Sequence, residues 1–373
     1  MSNGWIELYP SSWLYNAGVI GFLRCLDKEE KNLKGYLIWC SKEHKKYEFE
    51  KEIVKVNPRV FSCIRVNYYL DKNKVVNLKG KNDYYPNFID TDGKQKEAFE
   101  FLIRGLGNQN LQISKENCDL CDNPIYVKLG DQNIKDKESL RKFREKIKKF
   151  GQYHNKLLGP SVGGFPNSAW NLDNSLKICH MCTFLILHHH LAFTKLSDGT
   201  EVFINTPSFK AMYWLNRLFR EISVGKESKD KSPLDILGMS LIEYTTKINT
   251  VLNRWTAMNI EIVIKYEKKD EKKDKKSVDF YSLPSNIQLL LTDREIASIL
   301  SQIGEYYILR IVLEGKHDEL LKVAHESLRA YIKNEKLNTY FTKNKNRRNP
   351  HIVLRRVLDL YAKITDRRVK YGE

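Results

Sequence analysis

Two short motifs in this chain place four thiols at metal-ligand spacing: Cys118-Asp119-Leu120-Cys121 and Cys179-His180-Met181-Cys182. A Cys-x-x-Cys turn aims two sulfurs at one point, and two such turns complete a tetrahedral S4 shell, the coordination that suits a structural Zn²⁺. Metal binding of that kind contributes on the order of 10 kcal/mol to folding. Here it would clasp two segments separated by the whole stretch 122–178, longer than a usual zinc-ribbon excursion. Four cysteine ligands leave no open position, so a catalytic metal is not expected. The remaining cysteines, Cys25, Cys40 and Cys63, stand in apolar runs and read as core residues. His180 and the run His188-His189-His190 lie near the second pair. Three adjacent histidines diverge around a helix and cannot serve one metal, so core or surface positions are expected for them.

The second kind of chemistry is cationic. Lys+Arg number 63 against 46 for Asp+Glu, a net charge of +17, which attracts polyanions whatever the fold. Over Glu138–Phe150, Leu140, Phe143, Ile147 and Phe150 recur at helical spacing, with Arg141, Lys142, Arg144, Lys148 and Lys149 around them: an apolar stripe with a cationic back, suited to tracking phosphates. A last helix over about 349–368 repeats the pattern. Val353, Val357, Leu360, Tyr361 and Ile364 form its inner face. Arg348, Arg355, Arg356, Lys363 and Arg367 gather opposite, with Asp359 and Asp366 as the acids nearby. Between the cysteine pairs, the Gly/Pro-rich loop Gly159–Trp170 would let backbone approach a ligand closely. Gly163, Gly164 and Asn167 are its candidates for base contact. No catalytic constellation is legible: Gly-x-Ser-x-Gly, His-Glu-x-x-His, a P-loop and a dinucleotide fingerprint are all missing. A non-catalytic protein is therefore expected. A stand-alone zinc-ribbon enzyme acting on nucleic acid, its active site unidentified, is the alternative.

The elements that would position these residues read as α+β: a mixed α/β N-terminal domain (1–235) with a zinc-binding insertion (115–185), then a mainly helical C-terminal domain (236–373) whose bundle starts near 284. A helix is expected from Ser12 to Leu23, with Gly18 and Gly21 admitting another backbone. Gly35–Cys40 and Tyr47–Val56 read as strands, 97–106 as helix and 108–112 as loop. Helices are expected over 183–193, 211–222 and 234–255. Asn259–Tyr266 and Val278–Leu283 read as strands around a solvated lysine run (267–276), and helices over 284–291, 292–314 and 316–334 precede the last one. Thr292 or Asp293 is the expected N-cap, and Gly315 a helix end. No apolar stretch is long enough to span a bilayer and no leader is seen, so a cytoplasmic protein is expected.

The Leu14–Leu23 helix, the widely separated pairs Cys118/Cys121 and Cys179/Cys182 and the helical C-terminal portion together resemble the CXXC-CXXC family of large subunits of type I-B CRISPR surveillance complexes (Cascade). The resemblance implies a subunit that caps the crRNA 5′ end, reads the protospacer-adjacent motif in target double-stranded DNA and helps open the duplex. Its partners would be the backbone, crRNA-capping and small subunits and a separate helicase-nuclease that does the cutting. It also implies that a small subunit could start internally, with Met239 and Met258 as candidate starts.

Overall fold

A computed structural model describes residues 4–29, 33–39, 44–70, 100, 103–106, 112–128, 149–151, 175–224, 232–247, 252, 254–270, 273–303, 305–335 and 350–371. The fold is α+β, with a helical C-terminal region. Chain contacts divide it into two units, residues 1–213 with 263–279 and residues 214–262 with 280–373.

In the first unit, β1 (Ile6–Leu8) leads into α1 (Trp13–Asp27). From Leu14 to Leu26 every residue of α1 is buried, polar Asn16 and Arg24 included, so α1 is the central rod of this unit rather than a surface helix. Arg24 is neutralised by Glu29 at 3.1 Å. The strand pair β2 (Tyr47–Glu50) and β3 (Ile53–Val56) closes through Lys51, whose φ of 52° supplies the left-handed turn, and β1 adds antiparallel to β3 for the order β1-β3-β2. Short helices α2 (Arg59–Cys63) and α3 (Asn67–Leu70) follow. The expected strand at Gly35–Cys40 does not form. Gly35 turns the chain at φ 96°, and only Leu37 pairs, in an isolated bridge to Ile64. Tyr36 and Leu37 are buried by packing, not by a ladder. Cys40 lies outside the described residues. Cys25 is in the core, whereas Cys63 is only half-buried.

Strands β4 (Gln112–Asn117) and β5 (Pro124–Lys128) form one hairpin, and β6 (Lys149–Gly151) pairs antiparallel with β7 (Ser175–Lys177). Then come α4 (His180–Ile186), a 3-10 turn at His189–Leu191, β8 (Thr194–Lys195), β9 (Glu201–Asn205) and α5 (Phe209–Val224).

In the chain order that follows, α6 is Pro233–Lys247 and α7 is Arg254–Met258. The single helix expected over 234–255 is thus not continuous among the described residues: α6 ends at Lys247 and Leu252 is not helical. Strands β10 (Glu261–Asp270) and β11 (Lys273–Ser282) complete a sheet of order β11-β10-β9-β8. The lysine run expected as a loop is therefore mostly strand. Ile262, Val263 and Ile264 anchor β10 in the core. Pairing continues outward to β11, the edge of the sheet among the described residues, where charge is tolerated and discourages further strand addition.

The helices of the second unit are α8 (Ser285–Thr292), α9 (Arg294–Ile303), α10 (Tyr306–Leu313), α11 (Glu319–Ile332) and α12 (Pro350–Tyr371). Asp293 is the N-cap of α9: its Oδ1 accepts from the backbone N–H of Glu295 at 2.9 Å and of Ile296 at 3.2 Å. Gly315, at φ 69°, ends α10, with the N–H of Lys316 returning to the carbonyl of Ile311. The helix expected over 292–314 is two helices, with Gly304 between them in sequence. Val353, Val357, Leu360 and Ile364 are the buried face of α12.

Candidate metal centre

Each cysteine pair sits where local structure forces a tight turn. The first is the tip of the β4–β5 hairpin. Asn117 and Pro124 are the last paired residues, the N–H of Asp122 donates to the carbonyl of Cys118 at 2.8 Å, and Asp122 takes φ 56° to close the loop. The second is a helix start. Cys179 is the N-cap of α4, and its sulfur accepts from the N–H of Cys182 at 3.4 Å.

What brings the two turns together is α1. A Cβ on Gly18 would stand 2.5 Å from the carbonyl oxygen of Leu185, and one on Gly21 would be closer still to that of His188. Glycine at both positions lets the backbone of α4 and the turn after it lie directly against α1. On the other side, Asn16 and Ser11 exchange hydrogen bonds, Nδ2 to the Ser11 carbonyl at 2.9 Å and the Ser11 N–H to Oδ1 at 2.8 Å. Ser11 Oγ then donates to the carbonyl of Leu120 inside the first turn at 2.7 Å. One helix thus grips both cysteine turns. Sequence reasoning missed Ser11 and Asn16; the signal was a lone amide in the apolar run Leu14–Leu23.

The four Sγ atoms lie within 4.8 Å of one another, the one cluster of possible metal ligands among the described residues. Cys118–Cys182 and Cys121–Cys179 are both 3.7 Å apart. A tetrahedron with metal–sulfur bonds of about 2.3 Å has edges of about 3.8 Å, so the spacing fits a zinc-sized ion. Cys118, Cys179 and Cys182 are buried and Cys121 half-buried. Further donors point at the sulfurs, as expected where thiolates are to be held: the Cys179 N–H to Cys118 at 3.2 Å and Asn123 Nδ2 to Cys121 at 3.4 Å. Hydrogen bonds from Cys121, Cys179 and Cys182 hold the Cys118 thiol well below its usual pKa. Those to Cys118 and Cys121 push Cys179 up, and those to Cys118, Cys121 and Cys179 push Cys182 up. Crowded thiols trade protons in this way, and a dication bound among them would replace those protons by stabilising all four thiolates. A shallow cavity of about 350 Å³, lined by Tyr9–Ser11 and 117–122, opens on the first turn.

His180 is buried, and His188 and His189 are completely so. His188 Nδ1–H donates to the carbonyl of Phe184 at 2.9 Å, which leaves Nε2 to accept from Tyr69 at 2.8 Å, and Tyr69 is in turn hydrogen-bonded to Tyr36. Burial lowers the His188 pKa to about 3, so it is a neutral core residue.

Of the residues expected at a nucleic-acid surface, Arg141, Lys142, Arg144, Lys148, Gly163, Gly164, Asn167 and Arg348 lie outside the described residues. Lys149 and Phe150 are in β6, opposite Lys177 and Leu176, so these two residues of the helix expected over Glu138–Phe150 are strand instead. Arg355 is exposed. Arg356 instead donates to the carbonyl of Gln302 at 2.8 Å, Lys363 pairs with Glu295 at 3.0 Å, and Arg367 meets Asp293 at 2.8 Å and Glu295 at 3.8 Å. The acids facing this helix therefore include Asp293, the N-cap of α9, and Glu295 in its first turn, brought there by packing. Among the described residues no helix is long and apolar enough to cross a membrane.

No curated protein and no solved structure matches the chain. Residues 112–194, which run from the β4–β5 hairpin through the second cysteine turn to the start of β8, match the family model described as CRISPR-associated protein (Cas_CXXC_CXXC), and to that family this stretch of the chain is similar.

Proposed function

We propose that this chain is the non-catalytic large subunit of a type I-B CRISPR RNA-guided surveillance complex, acting in the cytoplasm. In this reading it contacts the crRNA 5′ end and reads the protospacer-adjacent motif in target double-stranded DNA to start R-loop formation. Its partners are the backbone, crRNA-capping and small subunits, and a helicase-nuclease recruited after target binding makes the cut. The observation that carries the reading is the match of residues 112–194 to a CRISPR-associated family, centred on four cysteines that converge on one point. The surplus of basic residues supports it, since a protein that reads a short motif while base pairing reads the remainder relies heavily on backbone contacts.

Cys118, Cys121, Cys179 and Cys182 would hold one Zn²⁺. The ion's part is structural: it ties the β4–β5 hairpin to the start of α4 and leaves no coordination position for substrate.

Reconstitution with crRNA and the partner subunits tests the proposal. The isolated chain should bind duplex DNA weakly and without sequence preference. The assembled complex should bind tightly only where a matching protospacer lies beside one short flanking motif. Cleavage or modification of nucleic acid by the isolated chain, or target binding by the complex that is unchanged when this chain is omitted, would overturn it.

A further inference from the structure

Helices α11 and α12 run antiparallel: the rings of Tyr331, at the end of α11, and His351, at the start of α12, are 5.3 Å apart. Each helix has a buried face, Leu320, Val323, Ala324 and Ser327 on α11 and the valine–leucine–isoleucine face on α12. Each also carries a second apolar stripe that is not buried. On α11 it is Leu321, Leu328 and Ile332, which are 41%, 41% and 73% exposed. On α12 it is Leu358, 44% exposed, with half-buried Leu354 and Tyr361. Steps of seven and four residues on α11, and of four and three on α12, separate the positions within the stripes, the spacing of a helix–helix seam.

At about 100° per residue, each stripe lies about a quarter turn past the buried face of its own helix, in the same rotational sense. In an antiparallel pair, equal offsets of the same sense bring both stripes to one side. On α12 that side is opposite to α9, because the residues that meet α9, Arg356, Lys363 and Arg367, project from the other flank. The two stripes thus form the walls of a groove sized for one more helix. A further quarter turn round α11 stands the exposed row Lys322, Arg329 and Lys333.

We propose that this groove is a docking site for an amphipathic helix of a partner protein, with leucine-type residues along its seam and acidic residues along the edge that meets α11. The cationic row decides the occupant. An acid-flanked helix is complementary to it, and a lysine-flanked one is not. The inference rests on the described face of the second unit alone and not on the nucleic-acid reading.

The test uses the full chain and two synthetic peptides of about five helical turns. Both carry leucines at the seam spacing; one has glutamates at the flanking positions and the other lysines. Binding is followed by fluorescence anisotropy. The glutamate peptide should bind, the lysine peptide should not, and Leu328→Glu should weaken binding by at least about tenfold. Arg329→Glu with Lys333→Glu should reverse the preference. Because all three positions are exposed, an unchanged thermal midpoint keeps loss of binding distinct from loss of fold. The proposal is overturned if the glutamate peptide does not bind, or if both peptides bind equally. It is equally overturned if the wild type sediments as a dimer that Leu328→Glu returns to monomer.

Discussion

The Cα of Gly18 faces the carbonyl oxygen of Leu185 so closely that a single added carbon would stand 2.5 Å from it. Leu185 is one turn beyond Cys182 on α4, so this contact sets where the second cysteine turn sits relative to the first.

Gly18→Ala should therefore act twice. Overpacking against a backbone carbonyl should cost about 1–3 kcal/mol, more than the gain of about 1 kcal/mol in helix propensity. The shift of α4 should also loosen metal binding. Urea unfolding reports the first effect, and metal retention under a graded chelator reports the second.

Elemental analysis should find one zinc per chain, lost in a Cys118→Ser/Cys179→Ser double variant. Chelation of the wild type should lower its melting temperature to that of the variant. Because thiols must lose protons to bind the metal, affinity should fall as pH falls, and proton release on binding should be measurable in weakly buffered solution.

His188 gives a separate acid dependence. Its folded pKa, about 3, lies below its unfolded value near 6.5. The unfolded chain alone gains a proton as pH drops through that window, so stability is full above about pH 6.5 and is lost progressively down to about pH 3, by a few kcal/mol in all. His188→Gln, which keeps an acceptor for Tyr69, should be less stable at neutral pH but show a shallower acid slope. Urea midpoints between these pH values check it.

The arginines of α12 should separate by role. Arg367→Glu places like charge against Asp293 and Glu295 and should destabilise the second unit by about 1–3 kcal/mol. Arg355→Glu should leave the melting temperature unchanged and reduce the salt dependence of DNA binding by the reconstituted complex by about one phosphate contact. Thermal melts and salt titrations distinguish the two.

What the sequence determined by itself is local. The cysteine spacing, the apolar face of α12 apart from half-buried Tyr361, the Asp293 cap, the stop at Gly315 and the small residues of α1 are read correctly from types and intervals, because turn chemistry and helical periodicity act over a few residues. Packing alone decided the remainder. Gly35–Trp39 has strand-like residues but among the described residues pairs only through the Leu37–Ile64 bridge, and the lysine run became strand because the buried start of β10 carried its pairing outward. The acids opposite Lys363 and Arg367 stand at the start of α9, Asp293 as its N-cap and Glu295 in its first turn, more than sixty positions away along the chain, so no window along the sequence contains them. The four cysteines announce a metal site at a glance, but their convergence depends on Asn16, Ser11 and two glycines of one buried helix, whose contacts exist only once the chain has folded around it.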